Sequence, residues 1–274
     1  MLHGGLSPTG SSRVVSREAL HKVPNPIALP NWHKKGRPKN YYWKPVGHGD
    51  LADSFVMAVE DLGIRITSEK HMLFRKDHAL ISTLGIEPTN MLDPSWESFV
   101  HSHESFQGSG IQPFICVRHS NDGVFGISVM GGAMVKVCSN GMYGKRFGRV
   151  KVNTPHSRDL DISEYMAESV RRVVADFDAI ERAKLTMERR ELSEDAGCRL
   201  ILEAANAGVL DEKLILPTSS AWLYPEHTSF EPRNAWSWYN AVTNSAKKLP
   251  PNNQVNLLAD ANSFILNQTS PLNA

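Results

Sequence analysis

Near Arg158 the hydrophobic period of this chain changes, and that change limits what it can fold into. Beyond it, Ile162, Met166, Val170, Val173, Phe177 and Ile180 recur at spacings of 4, 4, 3, 4 and 3. This is one apolar stripe, predicting a long helix that reaches about Glu191. Before it lie short β-type runs: Ile64–Thr67, Met72–Lys76, His78–Leu84, Ile115–His119 and Val124–Val129. Strands first and helices later predict an α+β fold. An antiparallel sheet is expected, covered by helices, with a long helix after it and an extended N-terminal arm in front. The expected division is a basic, Pro-rich arm over residues 1–48 and a single α+β domain over 49–268. Within that domain, 49–158 reads mostly as strands and 159–268 mostly as helices.

Local signals set the finer expectations. Pro24, Pro26, Pro30, Pro38 and Pro45 punctuate the arm, and each favours extended backbone at itself and its predecessor. Asp50 is the expected N-cap of a helix whose face is Leu51, Phe55, Ala58, Val59 and Leu62, with Gly63 as the stop. Ser120-Asn121-Asp122-Gly123 predicts a hairpin turn, and Met134–Cys138 a further strand. Ser193 opens a helix that ends near Gly208. Pro217 to Pro232 reads as a loop holding Trp222 and Tyr224. Ala235–Ala246 and Val255–Leu266 are expected helices, separated by Leu249-Pro250-Pro251.

Among the 274 residues, 41% are hydrophobic and the mean hydropathy is −0.32, values of an ordinary water-exposed domain. No run approaches the roughly 18 apolar residues of a membrane helix, so no membrane partner is expected. The start, MLHGGLSPTGSSR, lacks the apolar stretch of a secretory signal. Cys116, Cys138 and Cys198 are an odd set without short paired spacing. They fit thiols in a reducing cytoplasm better than a disulfide framework.

The net charge of +1 conceals strong segregation. Residues 1–48 carry +7, and Gly131–Arg158, with no acid at all, carries +6, which leaves −12 for the remainder. Two basic elements on an acidic body call for a polyanionic partner, with nucleic acid first and DNA ahead of RNA. Lys136, Lys145, Arg146, Arg149, Lys151 and Arg158 supply the cations of the second element, interleaved with Tyr143, Phe147 and several glycines. That mixture suits a strand-edge platform that neutralises a backbone and stacks bases. A plain solvated turn, with the two aromatics in the core beneath it, is the alternative. In the arm, Lys34-Lys35-Gly36-Arg37-Pro38-Lys39 is similar to the Gly-Arg-Pro core of an AT-hook, in which an extended arginine enters a narrow minor groove. Tyr41-Tyr42-Trp43 behind it could stack on bases or dock the arm on protein.

Catalytic signals are weak. His101, His103 and Glu104 sit close together, but no second ligand pair has zinc-site spacing, and no bound metal is expected. Cys116 and His119, three apart on a strand, should point to opposite faces. No phosphate-cradling loop of the GxxxxGK[ST] type occurs, and no GxGxxG follows a strand, so no cofactor is expected. The acids of Asp159–Glu164, Glu188–Glu194 and Asp211–Glu212 fall in helical or capping positions.

Three segments carry a family likeness. They are Val117-Arg118-His119-Ser120-Asn121-Asp122-Gly123, Val135-Lys136-Val137-Cys138-Ser139-Asn140-Gly141, and Ala235-Trp236-Ser237-Trp238-Tyr239-Asn240-Ala241-Val242-Thr243. In this order they resemble the phage/plasmid-like family classed as domain of unknown function 932. Asn153-Thr154-Pro155-His156 approximates a further piece of that pattern. The likeness runs from about Asp50 to Leu266 and leaves the arm outside. It implies a mobile-element or phage origin and a cytoplasmic setting in a bacterial or phage-infected cell, without implying an activity.

Charge placement and this resemblance together predict a non-enzymatic DNA-binding protein of phage or plasmid DNA metabolism, of the kind that anneals or protects single strands and self-assembles. The alternative is a structural or assembly protein whose basic arm binds a neighbouring subunit. A third reading, a hydrolase or nuclease built on His101 and His103, comes last.

Overall fold

Alternating apolar positions build one large antiparallel sheet in the computed structural model, which describes residues 12–24, 45–88, 111–135, 140–143, 151–154, 160–175 and 177–268. Its strands are β1 (Arg13–Val15), β2 (Ile64–Phe74), β3 (Ala79–Pro88), β4 (Ile111–Ser120), β5 (Ile127–Val135), β6 (Asn140–Tyr143) and β7 (Lys151–Thr154). They lie in the order β1-β2-β3-β4-β5-β6, and β7 also pairs with β5. Successive residues point to opposite faces, so β4 divides its side chains. Ile115 and Val117 enter the main core, while Phe114 and Cys116 join a second cluster with Phe74, Ile81 and Met130.

The helices are α1 (Arg17–Leu20), α2 (His48–Glu60), α3 (Ile162–Ala175), α4 (Phe177–Arg189), α5 (Glu194–Asn206), α6 (Glu212–Leu223), α7 (Ala235–Ala246) and α8 (Pro251–Gln268). Leu51, Phe55 and Val59 of α2 and Met166 and Val170 of α3 pack on the main face of the sheet. Val255, in the first turns of α8, reaches the second cluster. The α+β architecture is the expected one, with most helices following the sheet. No helix among the described residues is long and apolar enough to cross a membrane.

Several boundaries differ from the sequence reading, each for a physical reason. Within 1–48, residues 12–24 hold regular structure: β1 pairs antiparallel with β2, and Leu20 of α1 is buried. Their order comes from lying along the body, since three strand residues and one helical turn cannot hold their shape alone. Helix α2 starts at His48 behind Gly47, two residues before Asp50, because buried side-chain bonds from His48 fix the chain there. The runs read as Met72–Lys76 and His78–Leu84 are separated by a turn in which Arg75, Lys76 and Asp77 all have positive φ. Met134 and Val135 complete β5 and do not open a new strand.

The apolar stripe after Arg158 is shared by two helices with different neighbours: α3 packs on α2, and α4 on α7. Pro217 sits inside α6, where a loop was expected. Asp211 caps that helix, and its buried face of Leu214, Thr218 and Trp222 outweighs the one backbone bond a proline removes. Helix α7 spans Ala235–Ala246 as read, and α5 follows its Ser193 cap and ends before Gly208, whose φ is +70°.

Helices α5 and α6 meet where Gly197 faces Trp222. The indole is 1% exposed, and its Nε1 donates to Glu194 O at 3.1 Å. A Cβ on Gly197 would lie 2.2 Å from the ring. Replacing a helical glycine ordinarily gains up to about 1 kcal/mol, but a pinned indole cannot retreat. Gly197→Ala is expected to destabilise the fold by about 1–3 kcal/mol in chemical denaturation, the usual range for overpacking.

Candidate nucleic-acid interface

Two residues of the expected interface lie on described backbone. Tyr143 ends β6 opposite Gly132, and Lys151 opens β7 opposite Met130. Both strands run antiparallel to β5, so they are two halves of one edge strand, separated by the single β5 position Gly131. The seven residues 144–150 join those two anchor points. Lys136, Lys145, Arg146, Phe147, Arg149 and Arg158 lie outside the described residues, as do Lys34, Lys35, Arg37 and Lys39 of the arm. His101 and His103 are outside them too. Among the described residues no three His, Cys, Asp or Glu side chains converge on a metal-sized site.

Both flanks of residues 25–44 and the end of β7 lie at the end of the sheet that carries the β2–β3 and β4–β5 turns, whereas residues 144–150 join Tyr143 and Lys151 opposite the middle of β5 and residues 136–139 follow its other end, Val135. Pro24 lines a cleft with Lys76, Asp77 and His78 of the β2–β3 turn. On the other side of 25–44, Val46 N donates to Asn121 Oδ1 at 3.1 Å, and Asn121 Nδ2 donates to Val46 O at 2.8 Å. Asn121 N in turn donates to His78 O at 2.7 Å. Thr154, the last residue of β7, pairs with Ile127 beside the β4–β5 turn. Pro24, Val46 and Thr154 therefore lie at the same end of the sheet.

A buried polar chain holds this end together. His48 Nε2 donates to Asp77 O at 2.8 Å, because a carbonyl can only accept. Burial pushes the His48 pKa below its ordinary value, which keeps the ring neutral. Its Nδ1 is then an acceptor and takes the proton of His119 Nε2 at 2.7 Å. The Asp77 carboxylate accepts from Arg13 Nη2 at 2.6 Å, and this bond holds its pKa below the usual carboxylate range. Arg75 Nε donates to Asp122 Oδ2 at 2.6 Å across the two turns.

A second array was not read from the sequence. Ser82 Oγ lies 2.7 Å from His71 Nδ1, and His71 Nε2 lies 2.5 Å from Glu69 Oε1. Glu69 is also 3.2 Å from Arg17 of α1. The order is that of a nucleophile–base–acid relay, but Ser82 has 0% exposure, which keeps its hydroxyl from a substrate in this conformation. The one clue in the sequence is the alternation of Glu69 and His71; the partnership with Ser82 comes from strand register. Cys116 and His119 do point to opposite faces, and burial lifts the thiol pKa to about 11, far from a reactive thiolate.

Helix α7 buries Trp236, Trp238, Tyr239 and Asn240. Asn240 Nδ2 donates to Trp236 O at 2.9 Å, so this residue serves its own helix. Beside it a cavity of about 20 Å³, lined by Ser237, Asn240, Asn244 and His227, has room for one water.

Sheet, helical cover and paired edge define an α+β protein. The sequence profile described as domain of unknown function (DUF932) matches residues 96–262, and the chain belongs to that family. No curated protein and no solved structure matches it. The matched region starts between β3 and β4, although these strands pair along seven positions from Ala79 to Gly85. The sheet is therefore larger than the family region.

The neutral His48 sets a sign for pH dependence. Its lowered folded pKa means that the unfolded chain binds more protons below the ordinary histidine range. The associated stability is complete above about pH 6.5 and is lost as pH falls below it, at up to about 1.4 kcal/mol per pH unit. Urea midpoints at neutral and mildly acidic pH should differ more for the wild type than for His48→Gln. Equal differences would remove His48 from the account.

Proposed function

We propose that this protein binds DNA without catalysing a reaction on it, and that it serves phage or plasmid DNA metabolism by annealing or protecting single strands. Its setting is then the cytoplasm of a bacterial or phage-infected cell, with self-association along the strand. One observation supports the reading: Pro24 and Val46, which flank residues 25–44, lie at the same end of one sheet as Thr154, which closes the strand that Lys151 opens. Residues 1–48 carry +7 and Gly131–Arg158 carries +6, while the remainder of the chain carries −12. A polyanion would be attracted to that end and repelled elsewhere, which orients it before contact. A split edge strand with Tyr143 and Lys151 on either side of its gap offers cations and an aromatic beside one another in sequence and register.

A structural or assembly role is the second reading. Leu216 of α6 and Tyr224 directly after it are large apolar or aromatic side chains 80% and 77% exposed. A light-scattering mass that rises with protein concentration in the absence of DNA would favour it.

Replacing Lys145, Arg146 and Arg149 with Ala is expected to weaken binding to labelled single strands and duplexes. Each lost phosphate contact lowers the log–log salt slope by about 0.7 for single strands or about 0.9 for duplex. The variant should thus lose about 2–3 in slope while its melting curve stays unchanged, since exposed cations contribute little to stability. A wild-type protein with no salt-sensitive DNA binding would overturn the proposal.

A further inference from the structure

Residues 13–24 and the β2–β3 turn enclose a cleft of about 520 Å³, lined by Arg13, Lys22, Pro24, Lys76, Asp77 and His78 among others. We propose that this cleft binds a phosphodiester group of a nucleic-acid strand, with Lys22 and Lys76 as the binding cations. The proposal rests on the DNA-binding reading above and adds a site to it.

The charge balance of the walls is the first support. Arg13 and Asp77 satisfy each other at 2.6 Å, so neither charge is in surplus. Lys22 and Lys76 are both exposed. Among the described residues, no ion pair includes either. Two ammonium groups remain to face an anion, each with three donors. The Asp77 carboxylate would repel that anion if it stood alone, but the guanidinium of Arg13 shields it.

Backbone strain is the second support. Arg75, Lys76 and Asp77 have φ of 56°, 55° and 63°, three successive left-handed residues without a glycine. The left-handed region is disfavoured for an L-residue, because its Cβ crowds the following carbonyl oxygen. Such outliers persist only where surrounding contacts hold them, and they gather at functional sites. Here the bonds of Asp77 to His48 and to Arg13, and of Arg75 to Asp122, hold the turn. The residue left facing solvent between them is Lys76, on the cleft wall.

Continuity favours a strand over a small free anion. The cleft is open to solvent and ends at Pro24, where the chain passes into the segment that carries Lys34, Lys35, Arg37 and Lys39.

The test is a salt titration of oligonucleotide binding by Lys22→Gln/Lys76→Asn, in which asparagine tolerates the left-handed conformation at 76. Two lost contacts should lower the slope by about 1.4 for single strands or about 1.8 for duplex. Lys22→Gln alone, which leaves the strained turn intact, should lower it by about half as much and guards against a folding defect. If the wild type binds with a steep slope and both variants match it, the cleft proposal fails while the DNA-binding reading stands. If the wild type does not bind in a salt-sensitive way, both fail. Melting temperatures with inorganic phosphate, against chloride at equal ionic strength, separate the sources. Stabilisation of the wild type alone, with oligonucleotide binding equal in all three proteins, would make this a small-phosphate site and overturn the proposal.

Discussion

Six consecutive residues at the end of β4 tie the molecule together. Arg118 Nη1 donates to Asn256 Oδ1 of α8 at 3.1 Å, and its guanidinium lies 5.4 Å from the Phe125 ring centroid. His119 bonds to His48 at the start of α2. Ser120 Oγ bridges the N–H and carbonyl of Phe125, closing the turn. Asn121 clamps Val46 through both its oxygen and its nitrogen. Asp122 pairs with Arg75 of the neighbouring turn, and Gly123 supplies a φ of +72°. Each buried partner left without its bond would cost about 1–3 kcal/mol. Helices on both sides of the sheet, the re-entering N-terminal chain and the strained turn therefore all depend on this one stretch.

That dependence fixes both flanks of residues 25–44. The chain leaves the body at Pro24 and returns at Val46, and the return is fixed by Asn121. Strand β7 ends at Thr154 opposite Ile127, a few residues beyond the same turn. No acid occurs within Gly131–Arg158. The acids are elsewhere, as in the Glu168 pairs with Arg171 and Arg172 on the outside of α3.

Fold class was legible because period is a local signal. The stripe from Ile162 to Ile180 and the ends of α7 follow from residues near one another in sequence. Pro217 misled because a single helix breaker is a local signal too, while the packing of Trp222 against Glu194 and Gly197 that overrides it is not. Likewise Asp50 carries a cap-forming side chain, yet the start of α2 is set by His48 reaching residues 29 and 71 positions away. The resemblance motif around Arg118–Gly123 was visible as a pattern, but its role as a junction required the partners. Nothing in the sequence marks Lys22 and Lys76 as neighbours, nor Ser82 as the partner of His71, since both juxtapositions arise from strand pairing of β1, β2 and β3. Charge segregation, by contrast, was plain, because composition survives folding.

Hydrogen exchange with and without a single-stranded oligonucleotide tests the central claim most directly. On binding, slower exchange is expected in peptides from 12–46, from the 75–80 turn and from 140–158, with little change in α5, α6 and α7. Protection confined to the helical layer, or none in a sample shown to be saturated with oligonucleotide, would contradict the claim that the basic segments hold DNA.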